Sequence, residues 1–300
     1  MLYASNFTAA QLARPDRRDA RSRCLNRREF FGLTAITVAA TPVFFGCSLR
    51  VPPVTEQTSH RPWPLPASRW VIFMRWHDLI FLHWPVRPEY IRPLIPSRLE
   101  LDTFDGWCWI GIVPFHMTGV RPRYIPLPIA LPELNVRTYV KTSGRSGVWF
   151  FSLDAASWLA VRVARWLGLP YYDAQMKVDL DGDAVQYESM RTHKNGGHAQ
   201  FSAVYRPTGA IYSAAPGTFD HWLTERYCLF AALDAAKVVY GEIHHPPWAL
   251  QAAEVELRVN NMTQQIGIDL PQRRPLAHFA RLQEVVAWPI MPIERIVTAG

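Results

Sequence analysis

The chain of 300 residues lacks the marks of several large functional classes. It has four cysteines, at 24, 47, 108 and 228, and no pair has a spacing that suits a metal. A disulfide framework belongs to much shorter chains, so Cys108 and Cys228 read as small buried hydrophobes. There is no glycine-rich phosphate loop, and no serine in a Gly-x-Ser-x-Gly setting, which removes the signature of an acyl-enzyme hydrolase. Strands do not alternate with helices, which excludes a parallel α/β architecture, and there is no internal repeat. Charged residues are only 19% of the chain, and the net charge of +7 is unevenly spread. Residues 1–50 hold eight arginines against Asp16, Asp19 and Glu29, which leaves +2 for the other 250 residues. The main body therefore carries no electrostatic case for binding nucleic acid.

What the chain does have is apolar bulk, 49% of its residues, with 12 tryptophans and 25 prolines. That is enough for a sizeable core, and so much proline suits strands and turns better than long helices. The first 47 residues read as a targeting segment or membrane anchor. Asn26-Arg27-Arg28-Glu29-Phe30-Phe31 resembles a twin-arginine export motif, an uncharged run follows to Leu49, and Val43-Phe44-Phe45-Gly46-Cys47 resembles a lipobox. Export or anchoring is the expectation, with membrane contact only through this segment; a start at Met74 would instead leave the protein in the cytoplasm. Residues 48–68, with Pro52, Pro53, Pro62, Pro64 and Pro66, read as a stiff linker, 69–292 as one domain and 293–300 as a tail.

Within that domain, Leu79 to Trp84 is a continuous apolar run that suits a strand buried on both faces. Asp105-Gly106 marks a hairpin bend between Leu99–Asp102 and Trp107–Met117. In Asn135 to Val140 the residues alternate: Asn135, Arg137 and Tyr139 face one way, Val136, Thr138 and Val140 the other. Asp154 is the expected cap of a helix running to Leu167, stopped by Gly168. A second helix is expected over Thr218–Ala232 with Thr218 as its cap, and further strands at 175–179, 184–191, 200–206, 237–244, 253–259 and 278–288. About ten short strands and two helices point to an α+β fold with an antiparallel, strongly curved sheet or barrel, an architecture that often encloses one ligand cavity.

Several strings carry a resemblance: Phe81-Leu82-His83-Trp84-Pro85-Val86, Leu99 to Gly106, Pro132-Glu133-Leu134-Asn135-Val136-Arg137-Thr138-Tyr139-Val140, Leu223 to Tyr227, and Gly241-Glu242-Ile243-His244-His245-Pro246-Pro247-Trp248. Together, across roughly residues 70–290, they resemble the YqjF-like family, whose fold is similar to that of acetoacetate decarboxylase. That resemblance implies a decarboxylase-type barrel around a closed cavity, a small-molecule ligand and a homo-oligomer. The decarboxylase carries a Gly-Phe-Pro-Lys-Lys string in which a lysine of depressed pKa forms a Schiff base. Here the matching string is Gly168-Leu169-Pro170-Tyr171-Tyr172, and Asn135 stands where the decarboxylase has a glutamate. A phenol forms no imine, so Schiff-base decarboxylation at this position is excluded on chemistry; Lys177 is the nearest lysine.

Two readings stay open for each candidate. Tyr171 and Tyr172 are either the catalytic pair, donating a proton or hydrogen bond in a cavity, or packing aromatics. Arg137, flanked by Asn135 and Tyr139, either anchors the carboxylate of an anionic ligand or pairs with Glu133 or Glu225. His83 and His244 join the ligand-binding set; Glu242 and His244 share a strand face and, with His83 or His116, have the makings of a metal site, against the alternative of histidines satisfied by carbonyls. The expectation is no metal and no cofactor. The functions that remain are a lysine-independent lyase, isomerase or hydrolase acting on a small organic acid, or a non-catalytic binding protein of the cell envelope.

Overall fold

A computed structural model describes residues 53–124, 128–234 and 237–297. The expected export motif and lipobox lie outside the described residues. Among the described residues no helix is long and apolar enough to cross a membrane.

Among the described residues thirteen strands form one sheet. In chain order they are β1 (Ile72–Val86), β2 (Glu100–Leu101), β3 (Cys108–Pro122), β4 (Ile129–Thr142), β5 (Arg145–Ala155), β6 (Tyr171–Asp181), β7 (Ala184–Arg191), β8 (Gln200–Tyr212), β9 (Cys228–Ala231), β10 (Val239–His244), β11 (Leu250–Asn260), β12 (Leu276–Ala287) and β13 (Met291–Pro292). Four short helices accompany them: α1 (Pro88–Ile91), α2 (Trp158–Trp166), α3 (Phe219–Thr224) and α4 (Glu294–Val297). Pairing is antiparallel except where β5 meets β6 and β9. The expected α+β fold with a strongly curved, mainly antiparallel sheet is what forms.

The hydrogen-bonded ladder returns on itself twice. One circuit runs β5-β6-β7-β8-β11-β12-β1-β3-β4 and back to β5; a shorter one runs from β5 through β9 and β10 to β12. Both share β12, β1, β3, β4 and β5, and closure leaves those long strands without a free edge. Over their central stretches β1, β3, β4 and β5 are therefore buried on both faces. Ile80, Leu82, Ile112, Leu134 and Val136 pack with Tyr187, Phe201, Ala203 and Tyr205 of β7 and β8. On the other side Phe81, Val113, Phe115 and Leu131 pack with Val161 of α2 and with Trp248. That is why Leu79 to Trp84 reads as an unbroken apolar run.

Local differences from the sequence reading have clear causes. Asp154 caps nothing: it is fully buried in β5 and paired with Arg191, whose Nε donates to Oδ2 at 2.9 Å. Ser157 caps α2 instead, accepting from the Ala160 amide. Gly168 does end that helix region, at φ +91°. Thr218 does cap α3, but the helix stops at Thr224 rather than Ala232. Cys228–Ala231 is claimed as β9 by β5 on one side and β10 on the other, and that long-range pairing overrides local helix propensity. The proline-rich stretch expected to be a linker is, from residue 53 on, packed on the sheet. Val54 and Trp70 are buried against Phe73, Val286 and Trp288, and Arg61 is buried against Glu242. At the other end Ile293 and Ile296 join the main core.

The Asp154–Arg191 pair tests this packing. Removing one partner of a buried pair leaves the other charge uncompensated, so Arg191→Met should lower unfolding stability in urea by about 3–5 kcal/mol. The double variant Asp154→Leu, Arg191→Met should lose clearly less than that single change.

Candidate functional site

The polar residues that the core cannot explain gather on one face of β4 and the strands beside it. Period-two alternation puts Glu133, Asn135, Arg137 and Tyr139 on a common side. Arg137 is 9% exposed and its guanidinium stands 5.1 Å from the centroid of Phe81 and 6.0 Å from that of Tyr139. Among the described residues no carboxylate lies within ion-pair distance of it, and its Nε and Nη2 have no hydrogen-bond partner. A buried cation in that state is strongly disfavoured unless something else compensates it. Neither Glu133 nor Glu225 supplies the pairing that was the alternative reading.

Register explains the company Arg137 keeps. His83, Gly111 and Arg137 are direct partners across β1, β3 and β4. A Cβ on Gly111 would stand 3.2 Å from both the Arg137 Cγ and the His83 Nε2, so the glycine makes the room that the two side chains share. His83 bonds the Tyr139 hydroxyl at 2.6 Å, and that hydroxyl donates to the Leu223 carbonyl at 2.9 Å. The His83 proton therefore sits on Nε2, and Nδ1 is left as a buried acceptor without a partner. Burial, reinforced by the nearby Arg137, His278 and Arg226, holds the His83 pKa well below the usual imidazole range.

His278 has the same form. It pairs with Phe81 across β1 and β12, and its Nε2 donates to Asp220 at 3.1 Å. Asp220 is held in turn by the Tyr212 hydroxyl at 2.8 Å, and the His278 Nδ1 is buried and unpartnered. Burial lowers the His278 pKa against the opposing charge of Asp220, so the neutral ring keeps a free lone pair. α3 covers this face: Phe219 packs on Trp109, and Trp222 packs on Tyr139. Arg226 lies over the Tyr139 ring at 4.7 Å and is tied to Asp102. The unpaired buried atoms of Arg137, His83, Arg226 and His278 thus belong to one neighbourhood. Their donors suit an anion and their acceptors suit proton transfer.

Further along the same face of β4, Tyr171 donates to the Glu133 carboxylate at 2.7 Å. Burial, the largest cause, raises the Glu133 pKa to about 7 despite that hydrogen bond. Burial and the Glu133 charge push the Tyr171 phenol well above its ordinary value, so Tyr171 is a fixed donor and not a titrating acid. Tyr172, its neighbour on β6, faces the other side of the strand, with the Arg191 guanidinium 4.0 Å above its ring. The two tyrosines do not form one catalytic pair. Lys177 is exposed on β6 and paired with Asp179.

His244 is not with this group either. It bonds the Val54 carbonyl at 2.7 Å and stacks on His60. It does share a face with Glu242, as alternation requires, but Arg61 lies against both, and Arg145 and Trp63 complete the Glu242 shell. Among the described residues no cluster of three or more metal-type ligands exists. Two open grooves lie on the surface among the described residues. One, of about 340 Å³, lies between Leu131, Pro132 and Met176, Val178, Leu180; the other, of about 420 Å³, runs over β6, β7 and β8. Neither is lined by Arg137 or Tyr171. Glu133 was within reach of the sequence, since alternation sets it on the face of Arg137. The His278–Asp220 pair was not, because 57 residues and three strands lie between its members and no local spacing joins them.

Residues 73–284 match DUF2071, described as an uncharacterized conserved protein. The chain is 45% identical over 241 residues to the uncharacterized protein YqjF of Bacillus subtilis (strain 168), covering 79% of this chain and 98% of that protein. Among solved structures it is similar in fold to an acetoacetate decarboxylase-like enzyme from Sphingomonas wittichii RW1, at 12% identity and a TM-score of 0.50, over 79% of this chain and 98% of that one. It is likewise similar to the enduracididine biosynthesis enzyme MppR complexed with pyruvate, at 9% identity and a TM-score of 0.52, over 75% of this chain and 91% of that one.

Glu133 makes stability depend on pH in an unusual direction for a carboxyl group. Unfolded, it titrates near ~4.3; folded, it titrates at about 7. The folded chain holds the proton more tightly, so the contribution is full below the unfolded value and is lost as pH rises through about 7. Glu133→Gln should therefore gain up to ~3 kcal/mol on wild type between about pH 5 and pH 8, measured by urea unfolding at both. An infrared band of a buried protonated carboxyl should be present in wild type at the lower pH and absent in the variant.

Proposed function

The chain belongs to the DUF2071 family of uncharacterized conserved proteins, and on that footing we propose that it binds a small organic acid at Arg137 and acts on it by proton transfer, without a lysine. The observation that carries this reading is the buried Arg137 guanidinium with no counter-ion among the described residues and with unused donors. A carboxylate accepting from two of its nitrogens supplies the missing charge and the missing hydrogen bonds together. The ligand class is a 2-oxo or 3-oxo acid. Supporting that choice, a protein of similar fold is known in complex with pyruvate.

The chemistry follows from the neighbours. A carbonyl group beside the bound carboxylate acidifies the adjacent C–H. The free Nδ1 of His278 takes that proton as general base, and Asp220 stabilises the imidazolium that forms. The resulting enolate takes the proton back at the same carbon, or at its oxygen to leave the enol, so no atom is gained or lost. The hydrophobic lid of α3 excludes water from this exchange.

Pyruvate and acetoacetate should raise the melting temperature of the wild-type protein, and Arg137→Met should weaken their binding by roughly 100-fold, the loss of a charge-assisted bidentate contact. In deuterated water, wild type should exchange the methyl protons of pyruvate as followed by NMR. His278→Gln should bind as before and lose the exchange. Binding without exchange in wild type would leave a binding protein and end the enzymatic reading; binding that survives Arg137→Met would end both.

A further inference from the structure

α2 presents an unusual surface. Of its nine residues only Val161 is buried. Trp166 is 85% exposed, Trp158 65%, Leu159 57% and Val163 52%. A helix lying on a sheet ordinarily turns charged residues to solvent. Here the outward face is indole and aliphatic, and its only charges are Arg162 and Arg165, with no carboxylate in the helix. The cations lie beside aromatic rings: Arg162 stands 5.8 Å from the Trp158 centroid and Arg165 5.5 Å from that of Tyr172. Arg165 is also fixed by the Tyr171 carbonyl at 2.8 Å.

Neighbouring elements extend the same character. Glu133 of β4 pairs with Ala155, the last residue of β5, so the first residues of β4 and the last of β3 run on past the end from which α2 departs. At that end Tyr124 and Ile129 are exposed, accompanied by Arg121 and Arg123, whose guanidinium groups lie over Phe73 and Trp70. One end of the sheet thus combines exposed aromatic and aliphatic side chains with four arginines.

We propose that this end, led by α2, docks on the surface of a lipid bilayer containing anionic headgroups. Tryptophan favours the bilayer interface because its ring is apolar and its N–H is polar, and arginine favours anionic phosphates. A short helix with an indole-rich face and basic flanks lies in the headgroup plane and does not span. A second copy of the chain is a poorer occupant. A two-fold contact between α2 helices would set Arg162 and Arg165 of one copy against the same residues of the other, with no carboxylate in either helix to compensate. The proposal is independent of Arg137 and of the N-terminal segment.

The test uses the full chain and the double variant Trp158→Ser, Trp166→Ser, whose exposed positions leave the core intact. Both are mixed with vesicles of phosphatidylglycerol and phosphatidylcholine in equal parts, or of phosphatidylcholine alone, made with bromine-labelled acyl chains. Wild type should bind the anionic vesicles, less so at high salt, and the bromine should quench part of its tryptophan emission. The variant should lose that quenched component, and its partitioning should fall at least about tenfold. Three results would overturn the proposal: no vesicle binding by wild type, equal quenching in wild type and variant, or a concentration-dependent dimer in sedimentation that the variant abolishes without any vesicle effect.

Discussion

Three strands hydrogen-bond to β5, and the rest of the fold depends on that junction. β4 takes one edge along its whole length, while β9 and β6 divide the other, at Val148–Trp149 and at Leu153–Ala155. The approach of β9 is close. A Cβ on Gly147 would lie 2.3 Å from the Cys228 carbonyl oxygen, a backbone clash that no side-chain motion relieves. Because one strand feeds two neighbours on one edge, the sheet divides and closes by two routes. Over their central stretches β1, β3, β4 and β5 lose contact with water on both faces.

That double burial sets the terms for the polar residues on β1, β3, β4 and β12. On a half-exposed strand, Arg137 and His83 would be solvated and unremarkable. In a closed circuit each must find a partner inside the protein, and only some do. Tyr139 satisfies one nitrogen of His83, Asp220 one of His278, and Tyr171 one oxygen of Glu133. What remains is a set of unpaired donors at Arg137 and Arg226 and unpaired acceptors at His83 and His278, all withdrawn from solvent. The contrast with Asp154–Arg191 is instructive. There the same closed fold buries a charge with its counter-ion and leaves nothing over.

The alternation in Asn135–Val140 was legible, and so was the common face of Asn135, Arg137 and Tyr139, because a strand's side-chain period is a local property. The same rule extends that face to Glu133. The Asp105-Gly106 turn was legible too, since both residues adopt positive φ, but the hairpin expected around it does not form beyond the Phe104–Trp107 bridge: β2 pairs with β4, not with β3. Asp154 misled because a carboxylate before a helix suits a cap and a buried ion pair equally well, and only the distant Arg191 decides between them. Residues 228–231 misled in the same way: their helical pattern is real, and the strand pairing that overrides it comes from residues 148–149 and 239–242. His244 reads as a ligand beside Glu242 until Arg61, 183 residues earlier, is seen to lie against both.

The sequence by itself determined the family, the strand-dominated fold class, the absence of a Schiff-base lysine at Tyr171 and Tyr172, and the residues sharing a face on β4. Each of these rests on composition, on motif order or on spacing within a few residues. Tertiary structure alone decided that Arg137 has no counter-ion among the described residues, that burial raises the Glu133 pKa to about 7, that Tyr171 and Tyr172 part company, and that His278 leans on Asp220. Those are statements about charge and burial. Both depend on which remote strands close around a side chain, and no local pattern encodes that.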